Sequence, residues 1–298
     1  MPFPLANPSA ARDWLTGSKR SPTALFAAPA LLRLWHLTSL DAPSVAVVWS
    51  QSFAWAAGVN LPTWVPVLLA LGTWAVYVGD RLLDARAAFR SGDLRFLRER
   101  HFFHWRHRRV LAPLAGCAAV IAAGIVFSLM PPTIRARDSV LALAALAYFS
   151  GVHAPRVCPR TRANFRSKEL IVGVLFTAGC AFPVFARIHV AVSLWPLPIL
   201  AVFFAALAWL NCAAIDRWES GEGTRILLAA FALTAIGLLA ALWLFFHQPR
   251  ISAPILAGSA SAALLGMLDL GRNRIAPLTL RCFADLVLLA PILCLFVR

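Results

Sequence analysis

Acidic residues are scarce in this chain of 298 residues. Asp and Glu number 13 against 28 Lys and Arg, and the formal net charge is +15. Charged residues of both signs make up 14% of the sequence, where soluble domains carry about 25%. Alternating ten-residue segments are absent, which excludes a transmembrane β-barrel. None of the six cysteines (Cys117, Cys158, Cys180, Cys212, Cys282 and Cys294) belongs to a CxxC pair, and most lie in apolar text. A zinc ribbon or a disulfide framework is therefore not expected, and the cysteines read as small core hydrophobes. The first forty residues lack a basic start followed by an apolar core and a small-residue cleavage site, so no signal peptide is expected. No short fixed period repeats along the chain, which argues against a solenoid.

What is present is apolar text. The chain is 60% hydrophobic with a mean hydropathy of +0.73, and it holds many apolar stretches of about 17–22 residues. Each is long enough to cross hydrocarbon about 30 Å thick as a helix. The expected fold is an all-α, polytopic membrane protein with nine transmembrane helices, at about 42–62, 64–84, 109–129, 138–154, 169–187, 194–214, 225–247, 252–270 and 277–297. Residues 1–40 carry Pro2, Pro4, Pro8, Pro22 and Pro29, then Arg33 and His36 in a short apolar run. They read as a tail plus an interfacial amphipathic helix, preceding a transmembrane domain over 41–298. The basic connection at 85–108 reads as a cytoplasmic cap.

The basic residues are distributed unevenly. The N-terminal tail and alternate connections on its side hold 22 of the 28 Lys and Arg. By the positive-inside rule that side is cytoplasmic, and in a bacterium the membrane would be the inner one. The positive charge is thus expected to meet anionic headgroups or anionic substrates, and nucleic acid is not an expected partner.

Against that background two carboxylates stand out. Asp80 and Asp84, in Trp74-Ala-Val-Tyr-Val-Gly-Asp-Arg-Leu-Leu-Asp-Ala-Arg86, lie one helical turn apart at the inner end of an apolar run. Like charges at that spacing cost about 0.2–0.5 kcal/mol, and a helix C-terminus disfavours anions further. A second acidic set follows the sixth span, in Asn211-Cys-Ala-Ala-Ile-Asp216-Arg-Trp-Glu219-Ser-Gly-Glu222. Asp216 and Glu219 share a helical face, while Asn211 stands about 140° from Asp216 on an ideal helix. Spans two and six end in the same compartment, so the two sets can face one cavity. Magnesium, held by one or two carboxylates plus substrate phosphates, suits such a site, and it stabilises a leaving diphosphate. The plainer alternatives are an acidic pair neutralised by Arg81, Arg86 and Arg90, and a solvated turn at Asp216 and Glu219.

These residues resemble the UbiA superfamily of intramembrane prenyltransferases. That family has nine transmembrane helices, with Asp-rich motifs after the second and sixth. Asp80 and Asp84 match the two aspartates of its first motif, Asn-x3-Asp-x3-Asp, with Val76 at the asparagine position. Asp216 and Glu219 match its second motif in part, with Cys212 and Ser220 where acids would be expected. Tyr148, followed by Arg156, Arg160, Arg162, Arg166 and Lys168, is similar to the family's Tyr and basic cluster between spans four and five. The resemblance implies Mg2+-dependent transfer of a prenyl group from a prenyl diphosphate to a lipophilic acceptor. Asp80, Asp84, Asp216 and Glu219 would be catalytic metal ligands. Asn211, Arg160, Arg166, Lys168 and Tyr148 would bind substrate, and Trp49, Phe53, Trp55, Trp74 or Tyr77 could face an allylic cation. The alternatives are a non-catalytic membrane subunit of the same fold, and a protein that binds or transports an anionic amphiphile. The acceptor, the prenyl length and the oligomeric state are left open.

Three further groups carry weaker signals. His101, His104 and His107 sit among arginines and aromatics, and read as a basic helix on headgroups or over a cavity rather than as a metal cluster. Arg281 and Asp285, four apart inside the last span, read as a buried pair, and Asp269 with Arg272 reads the same way. His36 and His153 could ligate haem only if paired across helices.

Overall fold

The computed structural model describes residues 28–92, 97–153, 162–188, 196–220 and 225–296. They form helices α1 (Ala30–Leu37), α2 (Asp41–Ala57), α3 (Trp64–Ser91), α4 (Glu99–Arg106), α5 (Arg108–Ser128), α6 (Pro132–His153), α7 (Arg162–Phe185), α8 (Leu197–Ser220), α9 (Arg225–Phe245), α10 (Pro249–Gly271) and α11 (Pro277–Val287), with 3₁₀ turns at Arg272–Arg274 and Ala290–Phe296. There is no β-strand among the described residues.

A helix occupies each expected apolar stretch, but the helices are not equivalent. Among the described residues, six segments are long and apolar enough to cross a membrane: Trp64–Ser91, Arg108–Ser128, Leu197–Ser220, Ile226–Phe245, Pro249–Arg274 and Pro277–Phe296. The other three stand apart. Helix α2 has only 17 residues, α6 carries Arg135, Arg137 and Asp138 in its first two turns, and the apolar stretch described within α7 is Glu169–Phe185. Helix α3 runs past its expected end to Ser91, where Gly92 takes a left-handed conformation (φ 72°) that stops it. The cap connection is correspondingly shorter, and α4 is its helical part.

The core is built on α2 and α8. The Trp49 and Phe204 rings stack at 3.8 Å between centroids, Phe53 meets Phe204 edge-on, and all three are fully buried. Trp49 and Phe53 therefore serve packing. Helices α9 and α10 pack along each other, with α10 also against α8. Gly258 lets α10 approach, because a Cβ there would come within 2.7 Å of the Phe203 ring and 3.2 Å of Trp49. Small residues at such crossings replace the hydrophobic drive that lipid does not supply between helices. Large apolar side chains point outward instead, among them Val120, Phe127, Val202, Leu228, Leu239 and Met267. In water this surface would be prohibitive, and in lipid it is the expected one.

The last segment is broken. Helix α11 stops at Val287, and the carbonyls freed there are taken by other elements. Ser261 Oγ donates to the Val287 carbonyl (2.6 Å), and Trp49 Nε1 donates to that of Leu288 (2.9 Å). Irregular backbone at membrane depth survives only with partners of this kind.

Candidate functional site

The site lies where α1, α2, α3, α4, α8 and α11 meet. It begins at the turn between α1 and α2. Leu40 N–H donates to the Trp35 carbonyl (3.0 Å), and Ser39 between them adopts φ 61°, the sole non-glycine residue at positive φ among those described. A left-handed serine is costly, and other groups must hold it. Trp74 Nε1 on α3 donates to the Thr38 carbonyl (2.9 Å), and the Arg81 guanidinium donates to Ser39 Oγ. On the other side His104 lies 3.0 Å from Ser39 Oγ through Nε2. His104 Nδ1 meets the Arg100 carbonyl at 2.8 Å, so it carries the hydrogen, and Nε2 accepts from the serine hydroxyl.

Helix α3 thus turns its residues in different directions. Arg81 is buried, reaches Asp41 at 3.9 Å and lies over the Tyr77 ring at 5.4 Å. It points inward and partners Asp41 and Ser39, where the sequence offered it to Asp80 and Asp84. Asp80 is half-buried, and Asp84 is half-exposed with a carboxylate oxygen 3.9 Å from His101 Nε2.

Helix α4 bridges to the second acidic set. While His101 reaches Asp84, Arg98 at the N-cap of α4 and Arg100 within it reach Glu219 at the end of α8, at 3.4 and 3.2 Å. Arg98 also donates to the Glu219 carbonyl (3.3 Å), and Arg281 of α11 pairs with the same carboxylate. Three guanidinia therefore converge on Glu219. Burial pushes Arg100 down to about 10, with Glu219 opposing the shift. Burial, then the nearby Arg100 and Arg81, push His101 down to about 3. Burial likewise pushes His104 down to about 4. Both rings are neutral at pH 7.

Asp216 is half-buried on α8, one turn inward of Glu219. Asn211 is buried further in, and its Nδ2 donates to Asp285 Oδ1 of α11 (3.1 Å). Asp285 thus does not turn to Arg281. Each has found a partner distant in the chain, Arg281 in Glu219 of α8 and Asp285 in Asn211 of α8. Asp269 does pair with Arg272 (3.2 Å), and it also accepts from Trp218 Nε1 (2.8 Å). Tyr148 lies on α6, and Arg166 and Lys168 lie in the first turns of α7, with side chains outside the described set. Arg160 lies outside the described residues altogether.

One constellation was not anticipated. His36, on the buried face of α1, brings Nδ1 to 2.7 Å from Asp41 Oδ2 and 3.4 Å from Asp285 Oδ2. Burial alone would favour the neutral ring, but the Asp285 and Asp41 carboxylates outweigh it and raise its pKa. The sequence signals were His36 in the short run before α2, Asp41 at the start of one apolar run and Asp285 in the middle of another. An apolar recess of about 490 Å³, lined by Trp55, Leu238, Leu256 and Leu293, adjoins Trp55, some fourteen residues along α2 from Asp41 and outside the polar site.

No family model, curated protein or solved structure gives a significant match to this chain.

Proposed function

We propose that this chain is a UbiA-like enzyme of the bacterial inner membrane, spanning it nine times. In this reading it transfers a prenyl group from a prenyl diphosphate to a lipophilic acceptor, with its acidic ends on the cytoplasmic side. The reading rests on one observation: a single short helix, α4, touches Asp84 of the first acidic set and Glu219 of the second, bringing both to one end of the bundle.

Asp80, Asp84 and Asp216 offer the hard oxygen donors that Mg2+ prefers. Glu219 fits that role poorly, because three guanidinia already neutralise it. When bound, Mg2+ supplies charge stabilisation to the departing diphosphate. The remaining work falls to the chain itself. Arg98, Arg100 and Arg281 present more positive charge than one carboxylate cancels, and guanidinia bind phosphate oxygens in pairs. Glu219 holds them in place until an anion arrives. His101 and His104, neutral and buried, dock α4 over the site and exclude water from it. The basic residues at the start of α7 would add to the clamp.

The test is release of diphosphate by the purified protein in lipid nanodiscs, given prenyl diphosphates of several lengths and a membrane lipid extract as acceptor. Magnesium-dependent release by the wild type, lost by at least a hundredfold in Asp80→Asn and in Asp216→Asn, is the expected result. The neutralised Glu219 favours a second reading, in which the site binds an anionic amphiphile without turning it over. Saturable binding of prenyl diphosphate with no release, at any magnesium concentration, would establish that reading and end the first.

A further inference from the structure

We infer that His36, Asp41 and Asp285 form a site for one divalent transition-metal ion, distinct from the Asp80, Asp84 and Asp216 face. One donor atom from each of the three lies within 4.8 Å of the others. His36 and Asp41 flank the α1–α2 turn, and tertiary packing brings Asp285 of α11 to them.

The orientation of the carboxylates carries the argument. Each aspartate has one oxygen held from outside and the other turned to the imidazole. Asp41 Oδ1 accepts from the Ala42 N–H (2.9 Å), and Asp285 Oδ1 accepts from Asn211 Nδ2 (3.1 Å). The two Oδ2 atoms converge on His36 Nδ1, at 2.7 and 3.4 Å. That is the pattern of monodentate ligands fixed by outer hydrogen bonds. Donors bound to one ion at about 2.0–2.2 Å stand about 3 Å apart, and the observed separations bracket that value.

A second observation points to an occupant. His36 is fully buried, yet neither of its ring nitrogens makes a hydrogen bond of proper geometry, although Nδ1 is close to both carboxylates. Asn211 Oδ1, buried beside Asp285, also has no partner. Buried polar atoms are rarely left so, and a cluster of them between two carboxylates is a place for a cation. Of the three, Arg81 approaches only Asp41, with Nη2 3.9 Å from Oδ2, beyond hydrogen-bond distance, while its Nη1 is taken by Ser39. One imidazole nitrogen with two carboxylate oxygens suits Mn2+, Fe2+ or Zn2+ better than Mg2+, which seldom takes imidazole. The competing occupant is a proton on His36, which would balance the two carboxylates and Arg81 without any metal.

The full chain, purified in detergent through a tag that binds no metal, separates these cases. Elemental analysis after removal of loose ions is expected to find about one equivalent of Mn, Fe or Zn per chain. Chelator-stripped protein titrated with Co2+ should develop visible ligand-field absorption that saturates at one equivalent. His36→Gln and Asp285→Asn should lose both signals. Asp80→Asn and Asp84→Asn should keep them, so the outcome is independent of whether the chain is a prenyltransferase. A wild-type protein with no stoichiometric metal and no Co2+ spectrum overturns the inference and leaves the proton in place. So does undiminished Co2+ absorption in His36→Gln. The wild-type titration decides the matter even if the variants fail to fold.

Discussion

Arg81 shows how much one side chain organises here. It is an arginine in apolar text, and its guanidinium joins the α1–α2 turn to α3 through Ser39 and Asp41. Removing one partner of a buried ionic contact leaves the other uncompensated, at a cost of about 3–5 kcal/mol. Arg81→Met is therefore expected to lower the free energy of denaturant-induced unfolding in mixed micelles by an amount in that range. A change within the error of the wild type would show that Asp41 is satisfied without it. Ser39 offers a finer contrast. Ser39→Ala keeps the left-handed backbone while leaving Arg81 and His104 without their shared oxygen, and should cost about 1–3 kcal/mol. Ser39→Gly loses the same oxygen but relieves the backbone, and should be milder by about 1 kcal/mol. Equal losses in the two would mean that the turn carries no strain.

At the scale of single elements, α4 behaves as a docked cover whose hold depends on neutral histidines. The ordinary imidazole pKa is about 6.5, and the docked values for His104 and His101 are about 4 and about 3. Above pH 6.5 both rings are neutral whether α4 is docked or released, and docking stands in full. As pH falls from 6.5 towards 4 the released helix takes up protons that the docked one refuses, so docking weakens across that window. Hydrogen exchange should show the α4 amides well protected at pH 7 and markedly less so at pH 5. A His101→Gln, His104→Gln double variant should flatten the difference. Protection that stays constant between those pH values would remove the histidines from the account. Packing makes a separate demand on α10. Gly258→Ala places a Cβ against Phe203 and Trp49, and overpacking of this kind costs about 1–3 kcal/mol, readable as a lowered unfolding midpoint.

Much of this level was legible in advance, because a helix in lipid must satisfy its own backbone and so announces itself by length and apolarity. Helix ends fell within a few residues of the expected ones for α5 and α9. Helix α3 overran because Gly92, rather than the last apolar residue, ends it. Partner choice was far less legible. Arg281 and Asp285 sit at a spacing that invites pairing, yet Arg281 turns to Glu219 and Asp285 to His36 and Asn211. The separations along the chain, 62 residues in one case and 249 in the other, put those partners beyond any local pattern. The acidic pair on α3 was visible as an anomaly of charge. The His36 cluster was not, since the sequence offered His36 to His153 and Asp285 to Arg281, and the structure joins His36 and Asp285 instead.

For the whole molecule, the number of crossings fixes where the two ends lie. Nine spans place the N-terminal tail and the C-terminus on opposite sides of the membrane, whereas the six long apolar segments alone would place them on the same side. Reporter fusions at each end decide between these. Activity of a cytoplasmic reporter at the N-terminus and of an exported reporter at the C-terminus is the expected pair. Two cytoplasmic signals would show that α2, α6 and α7 do not all cross.

The break at Leu288 bears on how such a protein is assembled. The helices bearing Trp49 and Ser261 precede this segment in the chain, so the donors for its two freed carbonyls are made before the carbonyls themselves. Loss of either donor strands a main-chain carbonyl in the interior, where no water can replace it.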